Sequence, residues 1–182
     1  MATTEHITSA EQLARSHDLG RCELVRGELV MMSPTGEEHG WIAAILTGHL
    51  MAWVRPRDLG RVYGAEAGFV IGHDPDTVRA PDVSFVRAER LGSTPSKGFL
   101  QGPPDLAVEV VSPNDRAGEV LAKVHQWLDV GCRAVWLVDP ESRMVTVYRS
   151  RTQIVALALS DQLTGEDLLP GFSLPVAEIF KP

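Results

Sequence analysis

Two carboxylates and one lysine have the types and spacing to act on a phosphate ester. Asp82 stands in APDVSFV at the start of a strand-like run, and Glu109 lies inside LAVEVV, among apolar neighbours. A lone carboxylate in such a strand is costly to bury, so Glu109 needs a partner. Side chains alternate along a strand, which puts Glu109 on one face with Ala107 and Val111 and turns Leu106, Val108 and Val110 to the other. One face is then core, and the other can open into a cleft.

Chain geometry gives Lys123 access to that cleft. From Glu109 to the turn at Ser112 is roughly 10 Å of strand at about 3.3 Å per residue. From Pro113 to Lys123 is roughly 15 Å of helix at about 1.5 Å per residue. A helix folding back along the strand returns Lys123 to the level of Glu109. Two carboxylates from adjacent strands suit a hard cation such as Mg²⁺, which prefers oxygen ligands and keeps several waters. A lysine beside them can hold the attacking water or stabilise charge on the phosphate.

The elements that must position these groups follow from the pattern. Ser9 opens a short helix from Ala10 to His17, and CELVRGELVMM reads as a hairpin turning at Arg26-Gly27. Trp41, Ile42, Ile45, Leu46, Leu50, Trp53 and Val54 recur at three-to-four spacing and predict an amphipathic helix of about four turns that ends before Pro56. RVYGAEAGFVI, APDVSFVRA and DLAVEVVS are strands, with a loop over residues 92–104 between the second and third. Ser112-Pro113-Asn114-Asp115 resembles a helix start, Gly131 suits the residue just past its end, and Gly118 weakens the first turns so that the start can fall later. AVWLVD and MVTVYRS form a second hairpin, QIVALAL adds a strand, and LLPGFSLPVAEIF is a proline-punctuated loop with a closing turn. Helix, strands, helix, strands predicts an α/β sandwich: a mixed central sheet flanked by helices, with an N-terminal β-hairpin.

Composition bounds the rest. At 182 residues and 44% hydrophobic content, one domain spanning 1–182 can bury a core without staples. Cys22 and Cys132 stand far apart, which offers neither a disulfide framework nor a thiolate metal site. The first twenty residues have no basic and apolar signal-peptide regions, and no apolar run reaches the roughly 20 residues of a membrane helix. The expectation is a cytoplasmic protein with no membrane partner. The net charge of −7 counts against a nucleic-acid partner, which calls for a basic face. Arg55, Arg57, Arg61, Arg79, Arg87 and Arg90 are the candidates for a local basic rim.

Simpler roles compete for several of these residues. Glu119 and Lys123 also fit an i,i+4 pair on a solvated helix face, contributing a few tenths of a kcal/mol. Asp82 alone could be a turn residue. His6, His17, His49, His73 and His125 form no H-E-x-x-H spacing, which argues against zinc, and Gly60, Gly64, Gly68 and Gly72 form no phosphate-cradling loop. Trp127 and Trp136 read as core or subunit-contact residues.

Pro81-Asp82, then Glu109 in a hydrophobic strand after a long loop, resembles the PD-(D/E)XK nuclease superfamily. That motif puts its lysine two residues after the glutamate, where this chain has Val111. The ordered set RAPDVSFV, PDLAVEVVSPND, Lys123, GCRAVWLVDP and LPGFSLP is similar to the Uma-two family of restriction-endonuclease-like proteins, from about Glu23 to Phe180. The resemblance implies a restriction-endonuclease-like fold, Mg²⁺ (or Mn²⁺) as cofactor, DNA as substrate, and a homodimer. It makes Asp82 and Glu109 metal ligands and Lys123 catalytic. It also implies an acidic residue from the first long helix, for which Glu38 ranks above Glu37, with His39 beside them to contact phosphate or cap the site. Glu119 stands where the family often has aspartate. The expected function is metal-dependent endonucleolytic hydrolysis of DNA phosphodiester bonds. The alternatives are an inactive nuclease-fold binding or assembly module and a carboxylate-pair hydrolase acting on another ester or a sugar.

Overall fold

The computed structural model describes residues 6–16 and 19–181. Helix α1 (Ala10–Arg15) starts with a reciprocal cap, in which the Ser9 hydroxyl accepts from the Gln12 amide and the Gln12 side chain accepts from the Ser9 amide. Its predicted end, His17, lies outside the described residues. Strands β1 (Cys22–Val25) and β2 (Glu28–Met31) form the predicted hairpin. Arg26 and Gly27 both have positive φ, 51° and 76°, which is the two-residue turn whose twist matches the flanking strands.

Helix α2 (Glu37–Val54) starts a turn earlier than the apolar spacing predicts and buries His39, Ile42, Leu46, Leu50 and Val54. Pro56 sits within a tight 3₁₀ turn that follows it. The run RVYGAEAGFVI, predicted as one strand, is two: β3 (Gly60–Gly64) and β4 (Phe69–Gly72) lie in different sheets. Gly64 accepts a turn hydrogen bond from Ala67 between them, so period-two alternation across the whole run misses the break. Strand β5 (Thr77–Arg79) is too short to announce itself in the sequence. It is followed by β6 (Val83–Arg87) and by β7 (Leu100–Gln101), two residues inside the predicted loop that add to β4 in parallel.

Strand β8 (Leu106–Val110) leads to α3 (Ala117–Asp129), which starts four residues after Pro113. Ser112 and Asp115 close a turn instead of capping: the Ser112 amide donates to Asp115 and the Asp115 amide to the Ser112 carbonyl. Gly131, with φ 99°, follows the helix as predicted. Strands β9 (Ala134–Asp139), β10 (Met144–Tyr148) and β11 (Ile154–Leu157) come next. The tail is more regular than its prolines suggest, with β12 (Gln162–Thr164) pairing β13 (Ser173–Pro175) before α4 (Val176–Ile179).

The central sheet runs β11-β10-β9-β8-β6-β3, mixed because β8 and β9 are parallel across the α3 crossover. A second sheet, β2-β1-β5-β4-β7, absorbs the N-terminal hairpin. The two faces of the central sheet carry separate cores. Val83, Phe85, Leu106, Val108 and Val110 pack with α2 and the C-terminal segment, where Trp136 stacks on Phe172 at 6.0 Å. Val86, Ala107 and Val135 pack with Val124, Trp127 and Phe69, the last two meeting edge to face at 6.3 Å. This is the expected α/β architecture, and no helix among the described residues is long and apolar enough to cross a membrane.

Two glycines make opposite demands. Gly60 has φ 150°, and a Cβ there would lie 2.1 Å from the Val86 carbonyl oxygen, against backbone that cannot yield. Gly48 is exposed within α2 and open around its Cβ position. Gly60→Ala should therefore destabilise the fold by about 2 kcal/mol or more, whereas Gly48→Ala should stabilise it by up to about 1 kcal/mol, as read by urea denaturation.

Candidate active site

The pairing of β6 with β8 matches Val83 with Val108 and Ser84 with Ala107. One step further, Asp82 and Glu109 stand directly opposite each other on the face that carries Ala107. Both are buried, at 7% and 6% exposure. Like charges opposed across two strands repel, and burial strengthens the repulsion, so this pair exists only with compensation.

Each carboxylate has its own set of donors. Asp82 Oδ2 accepts from the Val110 amide at 2.9 Å and lies 3.1 Å from His39 Nε2, while Oδ1 lies 3.1 Å from Arg21 Nη2. Glu109 Oε2 accepts from Lys123 Nζ at 2.8 Å, and Oε1 accepts from Trp127 Nε1 at 2.7 Å. Helix α3 thus folds back far enough to set two residues, one turn apart, on one carboxylate. A third buried carboxylate closes the network. Glu23, from β1, lies 3.7 Å from Lys123 Nζ, accepts from Arg79 Nη1 at 2.6 Å and from the Ala80 amide at 2.9 Å. Arg79 in turn donates to Gln126 on α3.

These contacts set the protonation states. Burial pushes the Glu109 carboxyl up to about 7, partly opposed by the Lys123 charge and reinforced by Asp82. Burial also pushes Asp82 up, but the His39 hydrogen bond and charge, the Val110 amide and Lys123 together bring it below the usual carboxylate range. His39 is pushed down by burial and raised more strongly by Asp82, so its imidazole holds its proton above the ordinary range. Lys123, pushed down by burial, is raised further by Glu109 and Glu23 and stays charged.

The network lines a cleft of about 580 Å³ whose walls are the segment from Met31 to Gly36 and the turn from Ser112 to Asp115. Asp82, Glu109 and Lys123 come together there. Glu38 does not: it is exposed in the first turn of α2 and lines a separate groove with Glu37, Trp41 and Phe180. The helix instead sends in His39, one residue further and about 100° around the axis. Glu119 is exposed at the cleft rim, 3.8 Å from Arg116. Of the six arginines considered for a basic rim, Arg79 alone lines the cleft. Arg87 and Arg90 are held by Asp105, and Arg57 lies 3.5 Å over the Trp53 ring.

Sequence reasoning passes over Glu23 and Arg21, and reads Trp127 as a core or subunit-contact residue, whereas it is buried and also donates to Glu109. The signal for Glu23 was available, since a carboxylate between Cys22 and Leu24 in a strand is the same anomaly as Glu109. Arg21 carries no such signal, because its role depends on the pairing of distant strands.

No group of three or more His, Cys, Asp and Glu side chains suited to a metal occurs among the described residues, so the site is not an all-protein cage. Two opposed carboxylates, one with its proton retained to about pH 7, fit a hard cation that keeps most of its waters. They do not fit zinc, which takes four protein ligands, or three and a water.

The raised Glu109 carboxyl has a consequence for stability in metal-free solution. The folded chain keeps a proton that the unfolded chain releases near its ordinary value of 4.5, so this contribution is complete below that value and is lost as the pH rises through about 7. Asp82 has the opposite sign, and its contribution is lost only as the pH falls through its lowered value. The stability gap between wild type and Glu109→Gln should therefore shrink from about pH 5 to about pH 8 in urea titrations. A constant gap would place Glu109 in the ordinary carboxylate range.

The family model of Uma2, described as "Putative restriction endonuclease", matches residues 8–177. A crystal structure described as "a putative nuclease belonging to DUF820", from Anabaena variabilis ATCC 29413, superposes with a TM-score of 0.81. The match covers 96% of this chain and 97% of that one at 20% identity, which shows a shared fold. No curated protein matches the sequence. With 170 consecutive residues, including every member of the cleft network, inside the family model, the chain belongs to the Uma2 family.

Proposed function

We propose that the protein is a metal-dependent endonuclease that hydrolyses DNA phosphodiester bonds. The observation that carries this reading is the opposition of Asp82 and Glu109 on the cleft floor with Lys123 bonded to Glu109. Asp82 and Glu109 would hold Mg²⁺ or Mn²⁺, which when bound polarises a phosphate and lowers the pKa of its water.

The chain's own residues supply the rest. Lys123 has three donors and spends one on Glu109, leaving others to orient a water or a phosphate oxygen at the cleft floor. Glu23 gives Lys123 a second carboxylate neighbour at 3.7 Å and fixes Arg79 at the cleft wall. Arg21 lies 3.1 Å from Asp82 Oδ1 and puts a second positive group, beside His39, on that carboxylate at the cleft wall. The shortage of positive charge has a local explanation. Arg21, Arg79, Lys123 and His39 face Glu23, Asp82, Glu109, Asp115 and Glu119 in the cleft, so it carries no surplus of positive charge and an added cation would strengthen its attraction for phosphate.

A second reading, a nuclease-fold protein that binds or assembles without cleaving, is favoured by Val111 at the usual lysine position and by the net charge of −7. We also place the protein in the cytoplasm, as its two free cysteines suit a reducing compartment.

Single- and double-stranded DNA incubated with Mg²⁺ or Mn²⁺ should be cleaved by the wild type. Asp82→Ala, Glu109→Ala and Lys123→Ala should each lower the rate by at least about a hundredfold. Equal cleavage by all four proteins would remove the cleft from the reaction. Metal-dependent DNA binding without cleavage would select the second reading.

A further inference from the structure

Lys123 has two buried carboxylates within reach and bonds only one of them. Its Nζ lies 2.8 Å from Glu109 Oε2 and 3.7 Å from Glu23 Oε1. The second distance is roughly 1 Å longer than a charge-assisted hydrogen bond. The chain thus provides two seats for one ammonium.

The seats differ in what else holds them. Glu23, 3% exposed on β1, has a donor on each oxygen without Lys123: the Ala80 amide on Oε1 at 2.9 Å and Arg79 Nη1 on Oε2 at 2.6 Å. Arg79 Nε also donates at 2.9 Å to Gln126 of α3, the helix that carries the lysine, so Glu23 keeps its place whether or not the ammonium touches it. An oxygen that accepts one hydrogen bond has a lone pair for another, so Glu23 Oε1 is open to Lys123. Glu109 has Trp127 Nε1 on Oε1 at 2.7 Å, and Trp127 is 1% exposed. That oxygen faces the protein interior, so a cation entering from the cleft meets Oε2, the oxygen that Lys123 holds.

We infer that Glu23 is a positioning residue for Lys123: it takes over the ammonium when Glu109 turns to a cation, and so keeps the lysine in the cleft. The inference rests on the cation reading of Asp82 and Glu109. An ammonium and a divalent cation on one carboxylate oxygen repel each other, so Lys123 yields Oε2. Its flexible four-carbon stem covers the difference between the two seats without a shift of α3. Glu23 acts through the lysine and does not itself hold the cation. Without it, Glu109 is the one carboxylate among the described residues within 4 Å of Lys123 Nζ, and a cation must compete with the lysine for it.

A double-mutant cycle on Mg²⁺ affinity, read by calorimetric titration of the metal-free protein, tests this. Glu23→Gln keeps the side-chain shape and should weaken Mg²⁺ binding about tenfold or more, with unchanged circular dichroism. Lys123→Met removes the competing charge, and adding Glu23→Gln to it should change the affinity by no more than about twofold. Direct attraction between Glu23 and the cation would instead weaken binding by the same factor in both backgrounds. A second readout needs no lysine variant. Lys97 and Lys181 are exposed, so the ammonium signal protected from exchange in ¹⁵N–¹H spectra is that of Lys123. At saturating Mg²⁺ it should persist in the wild type and be lost in Glu23→Gln. Equal affinity of wild type and Glu23→Gln, an equal loss in both backgrounds, or an ammonium signal that survives in Mg²⁺-saturated Glu23→Gln would overturn the inference and leave the cation reading standing. A wild type that binds no Mg²⁺ would remove that reading, and the inference with it.

Discussion

The repulsion between Asp82 and Glu109 is the constraint on which the rest of the cleft depends. The β6–β8 register places the two carboxylates face to face, and burial removes the water that would screen them. The chain answers with positive groups drawn from every surrounding element: Arg21 before β1, His39 in the first turn of α2, and Lys123 on α3. The compensation is unequal. Asp82 receives a guanidinium, an imidazole and a backbone amide and stays ionised, whereas Glu109 receives one ammonium and an indole and keeps its proton to about pH 7. Glu109 is therefore the less compensated of the two carboxylates.

That arrangement explains why the fold is assembled as it is. The parallel β8–α3–β9 crossover returns the helix along the strand and brings Lys123 and Trp127 over Glu109. The second sheet brings Glu23 and Arg79, on adjacent strands, within reach of Lys123. The two cores divide the work: one fixes the central sheet against α2, and the other fixes α3 and the second sheet at the height the network requires. The cleft is thus held by packing on both faces of one sheet, and its charged residues need only meet in the middle.

Much of this was legible in the sequence, for reasons that differ by residue. Glu109 declares itself because a charge in an apolar strand is anomalous, and the return of Lys123 follows from the rise of a strand and of a helix. The hairpin at Arg26-Gly27 is readable because its turn demands positive φ at both residues. What escaped depends on long-range pairing. Strand β5 and the two residues of β7 are too short to carry a period, and the split between β3 and β4 lies in a run whose composition stays strand-like. Glu38 and His39 are neighbours in sequence, and only the phase of α2 against β6 decides which of them reaches Asp82.

Calorimetric titration of the metal-free protein with Mg²⁺ or Mn²⁺ tests the central claim most directly, since it reads the cation without requiring a substrate. One bound cation per chain in the wild type, lost in Asp82→Ala and in Glu109→Ala and tighter as the pH rises through about 7, is the predicted result. Absence of binding in the wild type, or binding that survives both substitutions, would contradict it.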